Sequence, residues 1–84
     1  MEGRPAEGVL REVIKGTYTR KRDGLVYDYA GTVVVFRFTA TWYVKVHRDG
    51  KLVAEFADHA VVETNVLDFL LQLVETGIEQ LNDK

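Results

Sequence analysis

The longest regular pattern in the chain lies in residues 32–48, which contain neither glycine nor proline. From position 34 to position 46 every even-numbered residue is apolar, and the odd-numbered residues are mostly polar. The even set is Val34, Phe36, Phe38, Ala40, Trp42, Val44 and Val46. Because strand side chains alternate between two faces, this pattern predicts a central strand with one apolar face. A straight strand of this length measures about 50 Å, so we expect it to bend, to bulge or to extend beyond its own subunit.

The next apolar run, residues 51–63, is predicted to pair with this strand. A three-residue loop over 48–50, with its glycine in the left-handed region, places Val46 opposite Leu52 and keeps the apolar residues of both strands on one face. A two-residue loop turns Leu52 to the polar face instead, so the three-residue loop is preferred. Asp58 breaks the alternation, and we expect a bulge or a strand end there.

The N-terminal half predicts further strands. Residues 17–30 have the pattern of a hairpin around the tripeptide 22–24, and Gly31 is expected to separate that hairpin from the central strand. This division gives four strands. Residues 9–14 fit a short helix, which we prefer, or a strand in which Leu10, Ile14 and Tyr18 share a face.

Residues 65–82 carry the pattern of a long amphipathic helix. Thr64 or Asn65 is the expected N-cap, and Asp68 lies favourably in the first turn. The apolar sector covers about 200° of the helix circumference, more than the roughly 100° that one sheet face requires. We therefore expect the helix to pack across one face of the sheet and also to form a homodimer interface; the alternative is that the N-terminal segment folds over the remaining apolar surface. The expected interface residues are Leu67, Leu70, Leu71, Val74, Gly77, Ile78 and Leu81.

Together these elements predict an α+β fold, a curved four-stranded antiparallel meander with a long C-terminal helix packed across one face. The 84 residues allow one domain, expected over 9–84, with a flexible tail over 1–8. There is no cysteine, so disulfides and thiolate metal sites are excluded. No apolar run approaches the ~20 residues of a membrane span. We therefore expect a cytoplasmic protein that does not enter a membrane.

Charge is distributed unevenly along the chain. Residues 9–53 hold nine Lys or Arg against four acidic residues, whereas residues 54–84 hold seven acidic residues and one Lys. Cations beside aromatic rings on an open sheet are typical of single-stranded nucleic-acid binding, and also of a protein-binding surface. The candidate binding residues are Arg20, Lys21, Arg22, Arg37, Tyr43, Lys45 and His47.

Catalytic motifs are absent from the sequence. In the predicted register Arg37, His59 and Glu63 cluster on the polar face, an arrangement that is usually a solvated charge network. We therefore expect no catalytic residues, no metal site and no cofactor. The leading hypothesis is a non-catalytic regulatory or adaptor module, a homodimer that binds a protein partner through its open sheet face or an edge strand. The alternative is a protein that binds single-stranded DNA or RNA.

Overall fold

The chain folds into one open antiparallel sheet with a single helix behind it. The computed structural model describes residues 9–63 and 65–82. The sheet order is β1 (Val9–Thr19), β2 (Val26–Phe36), β3 (Thr39–Arg48) and β4 (Lys51–Val61), followed by helix α1 (Val66–Glu79). This confirms the predicted α+β meander with a C-terminal helix. The expected tail over 1–8 and Thr64 as a capping residue lie outside the described residues.

The predicted central strand over 32–48 is wrong, because the chain reverses within it. Arg37 and Phe38 form a two-residue turn in which Arg37 has a positive φ of 60°, and Phe36 pairs with Thr39. Directly opposite residues share a face, so the reversal moves the inward positions of β2 from even to odd numbers. Val33 is fully buried, whereas Phe36 and Phe38 are exposed.

The N-terminal segment is also corrected by the structure. Residues 9–14 belong to strand β1 and form no helix, and Ile14 lies buried on the side of α1 as the strand alternative required. Gly31 is not a turn but lies inside β2, opposite Ile14 and Val44. A Cβ at Gly31 would lie 2.2 Å from the Tyr43 carbonyl oxygen, so glycine permits a close approach of two backbones.

The turn between β3 and β4 differs from the expected three-residue loop. Asp49 and Gly50 form a two-residue turn with φ values of 55° and 78°, the geometry that an Asp-Gly pair favours. His47 therefore faces Leu52 at the turn. The register then shifts by one residue at Val53, which restores the inward parity for the rest of β4. The bulge is at this position and not at Asp58.

Helix α1 packs its buried stripe on the sheet face formed by alternate residues of all four strands. Leu70, Val74 and Ile78 have no exposed surface, and the Phe69 ring meets Trp42 edge to face with centroids 5.8 Å apart. Asn65 caps the helix by accepting hydrogen bonds from the backbone of Leu67 and Asp68, as one of the two expected caps. The helix ends at Glu79, three residues earlier than predicted.

The molecule is elongated, with extents of 50 × 25 × 16 Å and a radius of gyration of 14.4 Å. A compact chain of this length has a radius of about 12 Å. Fourteen helical residues span about 21 Å, whereas an eleven-residue strand spans about 36 Å, so α1 covers only part of its face. No helix within the described residues is both long and apolar enough to cross a membrane.

Candidate protein-interaction surface

The sheet surface that faces away from α1, called the open face below, carries most of the exposed apolar side chains. It comprises the odd-numbered residues of β1, the even-numbered residues of β2 and the odd-numbered residues of β3. In β4 it comprises Leu52 before the bulge and the odd-numbered residues beyond it. Eight large hydrophobic residues of the described chain are exposed, and six of them lie on this face. These six are Val13, Val26, Phe36, Tyr43, Leu52 and Val61.

The strand register arranges the open face in rows that run across the four strands. One central row reads Val13, Thr32, Tyr43 and Ala57, and the next reads Lys15, Ala30, Lys45 and Glu55. A third row reads Thr17, Asp28, His47 and Leu52. Val13 is 72% exposed and Tyr43 is 42% exposed, so the middle of the face presents apolar surface to solvent. Exposed apolar patches of this kind usually mark interaction sites.

Polar groups on the open face are organised around Tyr43. The Lys45 ammonium lies 5.7 Å from the centre of the Tyr43 ring, a cation–π distance. Partial burial of the phenol, together with a hydrogen bond to the Glu55 carboxylate, raises the pKa of Tyr43. The Tyr43 ring and its two charged neighbours, Lys45 and Glu55, form one unit at the centre of the sheet.

Arg20, predicted as a binding residue, is buried. Only 1% of its surface is exposed, and its guanidinium forms a forked ion pair with Asp23, with an Nη2–Oδ2 distance of 2.7 Å. It also donates from Nη1 to the carbonyl oxygens of Ile78 and Leu81, at 3.0 and 2.9 Å. The hydrogen bond from Arg20 lowers the pKa of Asp23 to about 2. Arg20 thus joins the β1–β2 loop to the end of α1 in this structure.

The rest of this loop also contacts the end of the helix. Arg22 donates to the carbonyl oxygen of Leu81, and the backbone N–H of Lys21 donates to the Glu79 carboxylate at 2.8 Å. Tyr18 donates to the same carboxylate at 2.6 Å, which raises the pKa of Tyr18 to about 12 and lowers that of Glu79. The last turn of α1 contains no basic residue, so the loop arginines supply the positive charge that complements the helix dipole.

The other predicted binding residues divide between two places. Tyr43, Lys45 and His47 lie together on the open face in β3. Arg37 lies in the turn at the opposite end of β2 from the Arg20 loop, with its guanidinium 5.1 Å from the centre of the Phe36 ring. The structure therefore brings together three of the seven residues on the open face.

The residues expected at a helix-mediated dimer interface pack within the chain. Leu70, Val74 and Ile78 are fully buried against the sheet, and the remaining members of the set, Leu67, Leu71, Gly77 and Leu81, are half-buried. Gly77 accommodates the Phe56 ring, since a Cβ there would lie 2.6 Å from the ring's Cζ atom. The sheet and Phe56 of the same chain thus cover much of the apolar sector that suggested a dimer through α1.

The predicted polar cluster of Arg37, His59 and Glu63 does not form in the expected register. His59 lies opposite Thr41 rather than Thr39, and its side chain is 73% exposed beside an equally exposed Asp58. Among the described residues, no group of three acidic or histidine side chains is placed to hold a metal ion. An open groove of about 480 Å³ lies beside Gly77 and Phe56 and is lined mainly by apolar atoms.

Comparisons with protein-family models, with curated proteins and with solved structures found no significant match to this chain.

Proposed function

We propose that the chain is a small non-catalytic adaptor module that binds a protein through the open face of its sheet. The observation that supports this most directly is the placement of six of the eight exposed large hydrophobic residues on that face. Burying apolar surface stabilises a complex by roughly 25 cal/mol per Å², so Val13 and Val61, the two most exposed of these side chains, have most to gain from a partner. We propose further that the binding of this protein partner is regulatory.

The charges around the apolar rows fit a protein partner. Lys15 and Lys45 lie close to Asp28 and Glu55 in the register, so both signs are present on one surface. A mixed charge pattern with an apolar centre is typical of protein interfaces, whereas a polyanion selects for one sign.

Single-stranded nucleic acid is the second candidate. Its support is the cation–π pair of Lys45 and Tyr43 on an open sheet, with Lys15 one strand beyond Ala30. The burial of Arg20 and the contact between Arg22 and Leu81 weaken this alternative, because both cations are engaged at the end of α1. The nucleic-acid contact would then fall to Lys15, Lys45 and Arg11.

Photo-crosslinking in cells of the source organism tests the proposal. A photoreactive phenylalanine analogue replaces Thr32, and the matched control replaces Gln72, an exposed residue on the outer side of α1. We expect protein adducts from position 32 that disappear when Val13→Arg is added, and none of these from position 72. Adducts that nuclease removes would favour nucleic acid. If position 32 yields no adduct, or if Val13→Arg leaves its adducts unchanged, the open face is not the binding surface.

A further inference from the structure

We infer that a second copy of this chain occupies the open face, packed face to face about a twofold axis that runs parallel to the strands between β2 and β3. This inference rests on the proposed function, since it names the partner of the same surface. Three features of the described residues carry it: the area of the face, the order of charges across it and the location of its neutral side chains.

The area of the face matches what a stable dimer buries. Four strands about 4.8 Å apart and about 36 Å long present roughly 700 Å² when seen face on. A standard protein interface buries about 800 Å² on each partner. Two sheets in aligned packing lie about 10 Å apart, and their strands cross at about 30°. Residues at the middle of the two faces therefore stay opposite each other, whereas residues at the strand ends diverge.

A twofold axis along the strands places β1 over β4 of the second copy and β2 over its β3, and it keeps each row at its own level. In the row that contains Lys15 and Glu55, the cation lies on one edge strand and the acid on the other. The axis therefore brings Lys15 to Glu55 of the second copy, and the symmetric contact repeats the pair.

The adjoining row pairs an acid with a histidine and contains no like-charge contact. Asp28 lies in β2 and His47 in β3, so the axis places Asp28 over His47 of the second copy and repeats that contact by symmetry. A twofold axis perpendicular to the strands has no such outcome, because it places β1 over β1 of the second copy and Lys15 near Val13. The charge order thus selects one of the two symmetric arrangements.

Small and neutral residues occupy much of the rest of the face. The middle strands present Ala30, Thr32, Val34 and Thr41 to this face. They also present Lys45, which faces Glu55 of its own chain and which the axis places over Ala30 of the second copy. In the row of Val13, the axis brings that side chain to Ala57 of the second copy, a large residue against a small one.

Sedimentation equilibrium of the purified chain over a dilution series tests the inference, and charge exchange is the sharpest perturbation. Wild type is expected at twice its 9.6 kDa mass. Lys15→Glu and Glu55→Lys each place like charges together twice per dimer, so each should raise the dissociation constant at least ~10-fold. The double variant Lys15→Glu/Glu55→Lys should return to within ~3-fold of wild type, because the pair is restored with its signs exchanged.

The controls separate the interface from general effects of charge and folding. Lys51→Glu makes the same charge change at an exposed position opposite Arg48, outside the open face, and should leave association unchanged. Circular dichroism checks that each variant keeps the wild-type fold.

A wild type that sediments as a 9.6 kDa species throughout would overturn the inference. A dimer insensitive to the single substitutions, or not restored by the double variant, would do the same. If the chain is a monomer but crosslinks from position 32 still depend on Val13, the dimer is wrong and the proposed function stands. If the chain is a monomer and gives no such crosslinks, both the dimer and the proposed function are wrong.

Discussion

Replacing the buried Arg20 is the most informative perturbation of the fold. Its guanidinium connects the β1–β2 loop to the helix end through the forked bond to Asp23 and the bonds to the carbonyl oxygens of Ile78 and Leu81. Arg20→Ala removes all of these bonds at once. It also leaves a cavity beside the Tyr27 ring, whose centre lies 5.0 Å from the guanidinium carbon.

The size of the effect follows from which groups regain water. Asp23 is about one-third exposed and the bond to Leu81 is only partly buried, so both acceptors recover much of their hydration. The bond to Ile78 is buried, and an unsatisfied buried acceptor costs about 1–3 kcal/mol. With the lost packing, we expect about 3 kcal/mol of destabilisation, a large part of the 5–15 kcal/mol typical of a domain. For 84 residues the unfolding entropy is about 0.18 kcal/mol/K, so the melting temperature should fall by about 17 °C.

Thermal and urea unfolding of three variants measure this. Arg20→Lys keeps the charge but not the fork, so it should lose a substantial part of the same free energy. Lys21→Ala is the matched control, since that side chain is exposed and should change stability by less than about 0.5 kcal/mol. If Arg20→Ala is as mild as Lys21→Ala, the reasoning about the buried guanidinium is wrong.

Three further predictions concern the fold. The pKa of Tyr18 is raised from 10 to about 12, so its protonated phenol stabilises the fold fully below pH 10 and that stability is lost as pH rises through about 12. Tyr18→Phe should therefore abolish the loss of stability between pH 10 and 12. Urea midpoints that fall equally in wild type and in Tyr18→Phe over this range would contradict the prediction. Gly31→Ala should destabilise by at least ~3 kcal/mol, because its Cβ meets backbone at 2.2 Å, and a stably folded variant with wild-type urea midpoint would contradict the close approach. Gly77→Ala should stabilise the fold by roughly 1 kcal/mol in a Phe56→Ala background and by less in wild type, where the Phe56 ring must move to make room for the new Cβ. Equal effects in the two backgrounds of this double-mutant cycle would contradict the contact between Gly77 and Phe56.

The fold class could be predicted because two periodicities are clear in the sequence. The inward residues of β3, from Ala40 to Val46, alternate as expected, and the apolar stripe of α1 includes its three buried residues. The break at Arg37 and Phe38 could not be predicted from composition, since neither residue is typical of a turn and the apolar alternation runs through it. One missed turn reversed the parity of β2 and lengthened the expected central strand.

The candidate surface was only partly predictable. Tyr43, Lys45 and His47 were assigned to the polar face of β3 and lie on the open face. Arg20 was grouped with its charged neighbours because sequence does not distinguish an exposed cation from one whose acceptors, Ile78 and Leu81, are about 60 residues away. The apolar content of the open face was missed because Val13 was placed in a helix and Phe36 in the core. The Asp23 that follows Arg20 by three residues was the available local signal for an ion pair.

The central claim is that a protein covers the open face of the sheet. Hydroxyl-radical footprinting of wild type and of Val13→Arg, in cells and as purified chains at the same concentration, tests it directly. Phe38, exposed in the β2–β3 turn, serves as the internal reference. We predict that Tyr43 and Leu52 are oxidised more slowly, relative to Phe38, in wild type than in Val13→Arg. Equal relative rates in both proteins, in cells and in solution, would show that the face is bare and would contradict the account.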